Sequence, residues 1–407
     1  MTTATRFGLT GLGNYAGEIC QRLLREQESK APAARLVAVC DPRAERHGTI
    51  LAELHRHGVA VVKEYDELLA LDIECLWLPL PIDLHRPYSE RALAAGKHVI
   101  CEKPAAGSLQ DVDAMIAARD RSGRLCVIGY QDAYQPAVWE LKRRLLSGEF
   151  GVVLSGSIIG CWPRSQSYYS RNDWAGKVQR EGRWVLDSPA SNAFAHYIHL
   201  AQFLMGPSED VAAIPAEVEA ELYRVNPIES YDTCALRMTF EGGTHLLVHL
   251  THACSTAIDP VIILRTQFAM IRYLPKQLRV EILTSGVTES IPLESDRQGP
   301  ILAAVHRALR EGDASEMATL EMGRAHTLAI CAAAAATRVV DVAGEHVETL
   351  DDHGTPLRTI RGIEKAMQQA TERGRMLHEC GIASWSKPAG DVYTDAAWRF
   401  EGTAERR

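Results

Sequence analysis

"GLTGLGNYAG", residues 8–17, decides the fold. It contains Gly11-x-Gly13-x-x-Ala16, placed after the apolar run "RFGLTG" and ahead of an amphipathic stretch from Ala16 to Glu28. In such a loop the first glycine allows a tight turn and the second lets backbone approach a pyrophosphate. The small third residue lets the helix pack close to the strand. The helix start adds amide donors and the positive end of its dipole. The pattern is weak alone, but after the first strand of a βαβ unit it reads as a dinucleotide site.

The next apolar run, "RLVAVCD", ends at Asp41, where a carboxylate accepts from ribose hydroxyls. A carboxylate there favours NAD over NADP, while the nearby Arg43 and Arg46 leave NADP open. "VAVVKEY", "IECLWLPLP", "HVICEKP" and "LCVIGY" follow, separated by helical patterns. Nearly continuous apolar runs suit parallel strands covered on both faces, and their alternation with helices predicts a doubly wound α/β Rossmann domain. Beyond residue 150 "YDTCALRMTF" alternates, and "THLLVHLTHA" and "LRVEILTSGVTESIPL" read as further strands. These predict an α+β domain with a large, mostly antiparallel sheet. The expected division is 1–129, 130–345 and a C-terminal extension, 346–407, packing on the body. Within that extension 361–378 reads as helical and "SWSKPAGDVY" as a loop.

A formal net charge of −8 over 407 residues argues against a nucleic-acid or anionic-membrane partner. Ten scattered cysteines, none in a C-x-x-C pair, favour a reducing compartment, and no metal site is expected. No signal core opens the chain, and "TLAICAAAAAT" is too short to span a bilayer, so the expectation is a soluble cytoplasmic protein.

"CEKP", residues 101–104, places Lys103 at the carboxyl end of a predicted parallel strand, where open α/β sheets hold ligands. Pro104 stiffens the following backbone and Glu102 supplies a neighbouring charge. With "GLTGLGNYA", "AVCDP", "LPLPIDLH" and "ALAAGKHVICEKP", the sequence resembles the Gfo/Idh/MocA family, the glucose–fructose oxidoreductase and inositol dehydrogenase group. The resemblance implies NAD(P)-dependent oxidation of a secondary alcohol of a sugar or cyclitol. It also implies a dimer or tetramer built through an open-faced second-domain sheet. On the cofactor side the expected set is Gly11, Gly13, Asn14, Tyr15, Asp41, Arg43, Leu80, Pro81, His85, Glu102 and Lys103.

The family carries Asp-x-x-x-His on a helix of its second domain. "LDSPASNAFAHYIHLAQFLMGP", residues 186–207, aligns through His196, with Ser188 as N-cap and Gly206-Pro207 as stop. Asn192, His196 and His199 then lie at i, i+4 and i+7 on one helix face. The usual aspartate is Asn192, which orients an imidazole but does not stabilise its charged form as a carboxylate would. Asp187 stands nearby as a candidate replacement. The catalytic set is Lys103, His196, Asn192 and Asp187.

The long polar and aromatic stretch "CWPRSQSYYSRNDWAGKVQREGRW", residues 161–184, suits sugar recognition or, as readily, a surface contact. Trp162, Arg164, Trp174 and Arg183, with His199, Tyr130 and Tyr134, complete the expected substrate contacts. Three functions fit: a sugar or cyclitol dehydrogenase; an NAD-retaining enzyme that cleaves or eliminates by transient oxidation; and a non-catalytic dinucleotide-binding regulator.

Overall fold

The computed structural model describes residues 3–395 and 398–404. The described residues divide into two compact units, one of 3–106, 111–135 and 296–323, the other of the remaining described residues. The segment 296–323, placed by sequence in the second domain, therefore joins the first. The amphipathic helix Gly299–Glu311 buries Ile301, Leu302 and Val305, and Arg310 forms an ion pair with Glu74 at 2.7 Å.

Among the described residues, the first unit holds six parallel strands: β1 (Thr5–Thr10), β2 (Ala34–Cys40), β3 (Ala60–Val62), β4 (Cys75–Leu78), β5 (His98–Cys101) and β6 (Cys126–Ile128). Their order, β3-β2-β1-β4-β5-β6, reverses direction between β1 and β4. Every residue of β4 and β6 is buried, as the unbroken apolar runs require. Helix α1 (Asn14–Gln27) buries Ile19, Leu23 and Leu24 on one stripe, a gross gain of roughly 5–9 kcal/mol. This winding brings the turns after β1, β2, β4 and β5 to one edge, where doubly wound sheets bind ligands.

The second unit is built on a ten-stranded sheet of described residues. Its main path runs 287–292, 279–284, 270–274, 258–266, 153–161, 245–251, 233–240, 215–224, 340–341, and most neighbours are antiparallel. Two glycines on the strand Val153–Cys161 seat the helix Ala195–Met205. An added Cβ at Gly160 would meet the Phe194 ring at 2.5 Å, and one at Gly156 would meet Met205 sulfur at 3.1 Å. At the far end of this helix the fully buried Lys142 donates to the carbonyls of Phe203 (2.7 Å) and Gly206 (2.6 Å).

The other sheet face is partly covered by the chain's own C-terminal segment. Ile363, Ala366, Met367 and Ala370 of the helix Ile363–Arg373 pack on Cys161, Tyr223, Ala235 and Leu247. Polar ties fix the cover: His378 to Glu221 at 2.9 Å, Arg237 to Glu379 at 2.6 Å and His249 to Thr371 at 2.8 Å. The predicted loop "SWSKPAGDVY" is corrected at its end, because Gly390–Tyr393 adds a strand antiparallel to 215–224. All ten cysteines are free thiols. Among the described residues no helix is long and apolar enough to cross a membrane.

Candidate functional site

The glycine loop leaves β1 through Gly11, whose φ of +80° favours glycine and whose N–H donates to Cys40 O at 2.8 Å. Gly13 is the N-cap of α1 and offers no side chain to cap the first-turn amides, and no acid lies in that turn. An added Cβ at Gly13 would meet only the His47 ring within 4 Å, at 3.8 Å, so backbone approaches this space freely. Asn14 takes φ 41°, a conformation asparagine tolerates. Close packing falls on Gly17 as well as Ala16, since a Cβ at Gly17 would lie 2.9 Å from Leu12 O. The arrangement fits a pyrophosphate.

Asp41 is buried at the end of β2, and its carboxylate ties the loop. Oδ2 accepts from Leu12 N–H and Oδ1 from Arg43 N–H, both at 2.8 Å. Each oxygen keeps a lone pair for a ribose hydroxyl. His47, which sequence reasoning missed, stands 3.8 Å from the same carboxylate. Arg43 itself is exposed, and Tyr15 donates to Gln131 at 3.4 Å.

After β4, Leu80 and Pro81 are half-buried, while His85 is fully buried rather than lining a cofactor surface. Its Nδ1 lies 2.8 Å from Pro104 O and its Nε2 2.9 Å from Leu80 O, so the ring braces both segments. Burial pushes its pKa down, and a neutral ring donates to only one of these carbonyls. Lys103 is half-buried after β5, but Glu102 is buried at 4% exposure and turned inward. Glu102 accepts from the Trp77 indole at 3.0 Å and from Lys103 N–H at 3.3 Å. Burial pushes its carboxyl up to about 7, against the pull of Trp77 and Lys103. Gly129 makes room for it, since a Cβ there would lie 2.5 Å from Oε1. Trp77 and Gly129 carried no sequence signal. Tyr134 donates to Ile128 O at 2.9 Å and Tyr130 is fully buried, so both pack the first unit instead of meeting substrate.

In the second unit the expected single helix from Ser188 is two elements. A π-type turn, Pro189–Ala193, is capped by Ser188 through Ser191 N–H, and the α-helix begins at Ala195 after Phe194 breaks the dihedrals. His196 is half-buried there. His199 instead points inside at 1% exposure, next to His326, and burial holds it neutral. It is a core histidine, not a substrate contact. Asp187, buried beside the π turn, accepts from the Asn192 amide at 2.8 Å and from Gly176 N–H at 2.6 Å. The Asn192 amide is thereby fixed with its N–H side on Asp187.

In the 161–184 loop, Trp162 stacks on Phe194 (4.5 Å, 25°) and donates to Asp259 at 3.2 Å. Arg164 lies over Tyr168, Arg171 reaches Trp174, and Arg183 forms an ion pair with Glu181 at 2.8 Å.

Two family models match the chain. One describes an oxidoreductase family with an NAD-binding Rossmann fold, over residues 5–130; the other is the GFO/IDH/MocA C-terminal domain, over 138–270. The chain belongs to the Gfo/Idh/MocA family. Its first unit is the family's NAD-binding Rossmann domain. The chain is similar to the uncharacterized oxidoreductase ORF334 of Rhizobium meliloti, with 41% identity over 150 residues, 36% of this chain and 43% of that one. It is also similar to a D-apiose dehydrogenase of Paraburkholderia graminis, 26% identical over 232 residues, 55% and 56% of the two chains. It thus spans about half the length of these curated relatives. The WlbA dehydrogenase of Bordetella pertussis, crystallised with NADH and UDP-GlcNAcA, shares the fold. Its TM-score is 0.63 at 21% identity, covering 80% of this chain and 94% of that one.

Proposed function

We propose that the chain transfers hydride between a secondary alcohol of a sugar, sugar derivative or cyclitol and NAD, with His196 as the acid–base group. The observation that carries this reading is the hydrogen bond from Asn192, four residues before His196, to Asp187, in a chain with an NAD-binding Rossmann domain. A half-buried imidazole on the first turn of the helix that follows a fixed amide–carboxylate pair is a candidate for proton transfer, which contributes ~10²–10⁴-fold when well placed.

Gly11, Gly13 and Asn14 would hold the pyrophosphate, and Asp41 the adenosine ribose. When bound, the nicotinamide supplies the hydride acceptor. His196 takes the hydroxyl proton as the carbinol hydride leaves, and Lys103 donates a hydrogen bond to the substrate oxygen. Asn192, held by Asp187, keeps the turn before His196 in one geometry. Asp41 supports NAD over NADP.

Self-assembly through the sheet is proposed only for the part of the second face that the C-terminal segment leaves uncovered. There Val261, Ile263, Met270 and Leu283 share the side of Ile159 by register and remain partly exposed.

The test is reduction of NAD+ and NADP+ against a panel of sugars, glycosides and inositols, with retained nucleotide measured in the purified protein. Net NADH from a secondary alcohol, with NAD+ preferred, supports the reading. Consumption of a glycoside with retained NAD and no net NADH replaces it with transient-oxidation chemistry.

A further inference from the structure

The 161–184 loop carries a ladder in which aromatic rings and guanidinium groups alternate. Arg164 lies 5.9 Å from the Trp162 ring and 4.8 Å from the Tyr168 ring. Arg171 lies 3.6 Å from the same Tyr168 ring and 5.3 Å from that of Trp174. Cation–π contact holds both groups against the rings while leaving N–H donors for an acceptor such as carboxylate or phosphate.

Neither arginine has a carboxylate partner among the described residues. Their hydrogen bonds go to the carbonyls of Pro163 and Tyr168. The acids around them are engaged elsewhere: Asp173 with Arg180, Asp187 with Gly176 and Asn192, and Asp259 with the Trp162 indole. Arg164 Nε is buried with no acceptor. A buried donor on a charged group without an acceptor is unfavourable in a finished fold, and a ligand relieves it. His252 adds a second unmatched atom. Its ring is 5.7 Å from that of Tyr168, Nδ1 lies 2.9 Å from Trp162 O, and the buried Nε2 has no donor. With Nδ1–H given to the carbonyl, Nε2 is an acceptor.

We propose that Arg164 and Arg171, ordered on Tyr168, form the receptor for an anionic substituent, carboxylate or phosphate, on the sugar-like substrate. This rests on the oxidoreductase reading above and narrows its substrate class. His252 Nε2 accepts from a hydroxyl of the same ligand. Trp162 and Trp174 close the two ends of the ladder.

Calorimetry on the full chain with NAD+ present tests it, using D-glucuronate, D-glucose 6-phosphate and D-glucose as probes. One of the two anions binds at least about tenfold more tightly than glucose, and which one does so separates carboxylate from phosphate recognition. Arg164→Met and Arg171→Met each remove that advantage, while Arg171→Lys, which keeps the charge and loses the planar fork, removes part of it. Arg171 is exposed, so its variants leave folding intact. Equal binding of glucose and both anions, binding of neither anion, or an advantage that survives both Met variants overturns the proposal. Anion binding without NADH formation from any alcohol would leave the receptor standing and remove the dehydrogenase reading alone.

Discussion

The side-chain amide of Asn192 donates to the Asp187 carboxylate at 2.8 Å, five residues earlier in the chain. A buried carboxylate on the segment before the helix is thus tied to Asn192 through its amide, and the proposed function needs that pair intact. Exchange of the two residues tests this directly. Asp187→Asn and Asn192→Asp are each expected to lower kcat/KM by about 10- to 100-fold. The first removes the charge. The second sets two carboxylates against each other and raises one of their pKa values. The double exchange restores an amide–carboxylate pair, and kcat/KM should return to within about threefold of the parent.

Lys142 predicts a stability that rises with pH in the alkaline range. Burial pulls its pKa from 10.5 down to about 8, opposed by Glu209 and Asp210. Between these values the unfolded chain binds more protons than the native one, so unfolding free energy increases as pH rises from 8 towards 10.5. Urea unfolding at either end of that window should differ by roughly 2–3 kcal/mol from this group. In Lys142→Met the dependence disappears, and the two uncapped carbonyls cost about 1–3 kcal/mol near neutral pH.

Glu102 predicts the opposite slope in the acid range. Its carboxyl is raised from 4.5 to about 7 by burial, so the native state holds the extra proton between those values. Its contribution to stability is complete below pH 4.5 and is lost as pH rises through 7. Glu102→Gln keeps acceptors for Trp77 and the Lys103 N–H. Thermal melts of this variant should show a higher Tm than the parent at pH 8 and a smaller difference at pH 5, by roughly 2–3 kcal/mol between the two.

Asp41 ties the glycine loop as well as facing a ribose. Asp41→Ala leaves the Leu12 and Arg43 amides unmatched. NADH affinity, read by fluorescence titration, should fall about 10- to 100-fold without any gain for NADPH large enough to reverse the preference.

The legible part of this protein was local. Gly11, Gly13, Asp41 and Lys103 sit where a strand hands over to a turn, and adjacency in sequence defines that position. The inward turn of Glu102 depended on Trp77 and Gly129, 25 and 27 residues away, and no spacing rule connects them. The π turn at Pro189–Ala193 broke the expected helix face, because Phe194 leaves helical dihedrals and shifts the register before His196. That shift and the neighbouring His326 put His199 in the core. Gly390–Tyr393 reads as a loop because its strand character comes from the edge of 215–224, which it completes.

In the proposed function His196 moves the proton in a net oxidation of a secondary alcohol. The most direct measurement is NADH formed per substrate consumed, for the parent chain and His196→Ala, with the best substrate from the panel. One NADH per substrate is expected in the parent. In His196→Ala kcat/KM is expected to fall about 10²- to 10⁴-fold, with NADH affinity unchanged. Substrate turnover without net NADH, or a His196→Ala variant that keeps the parent's rate, would contradict it.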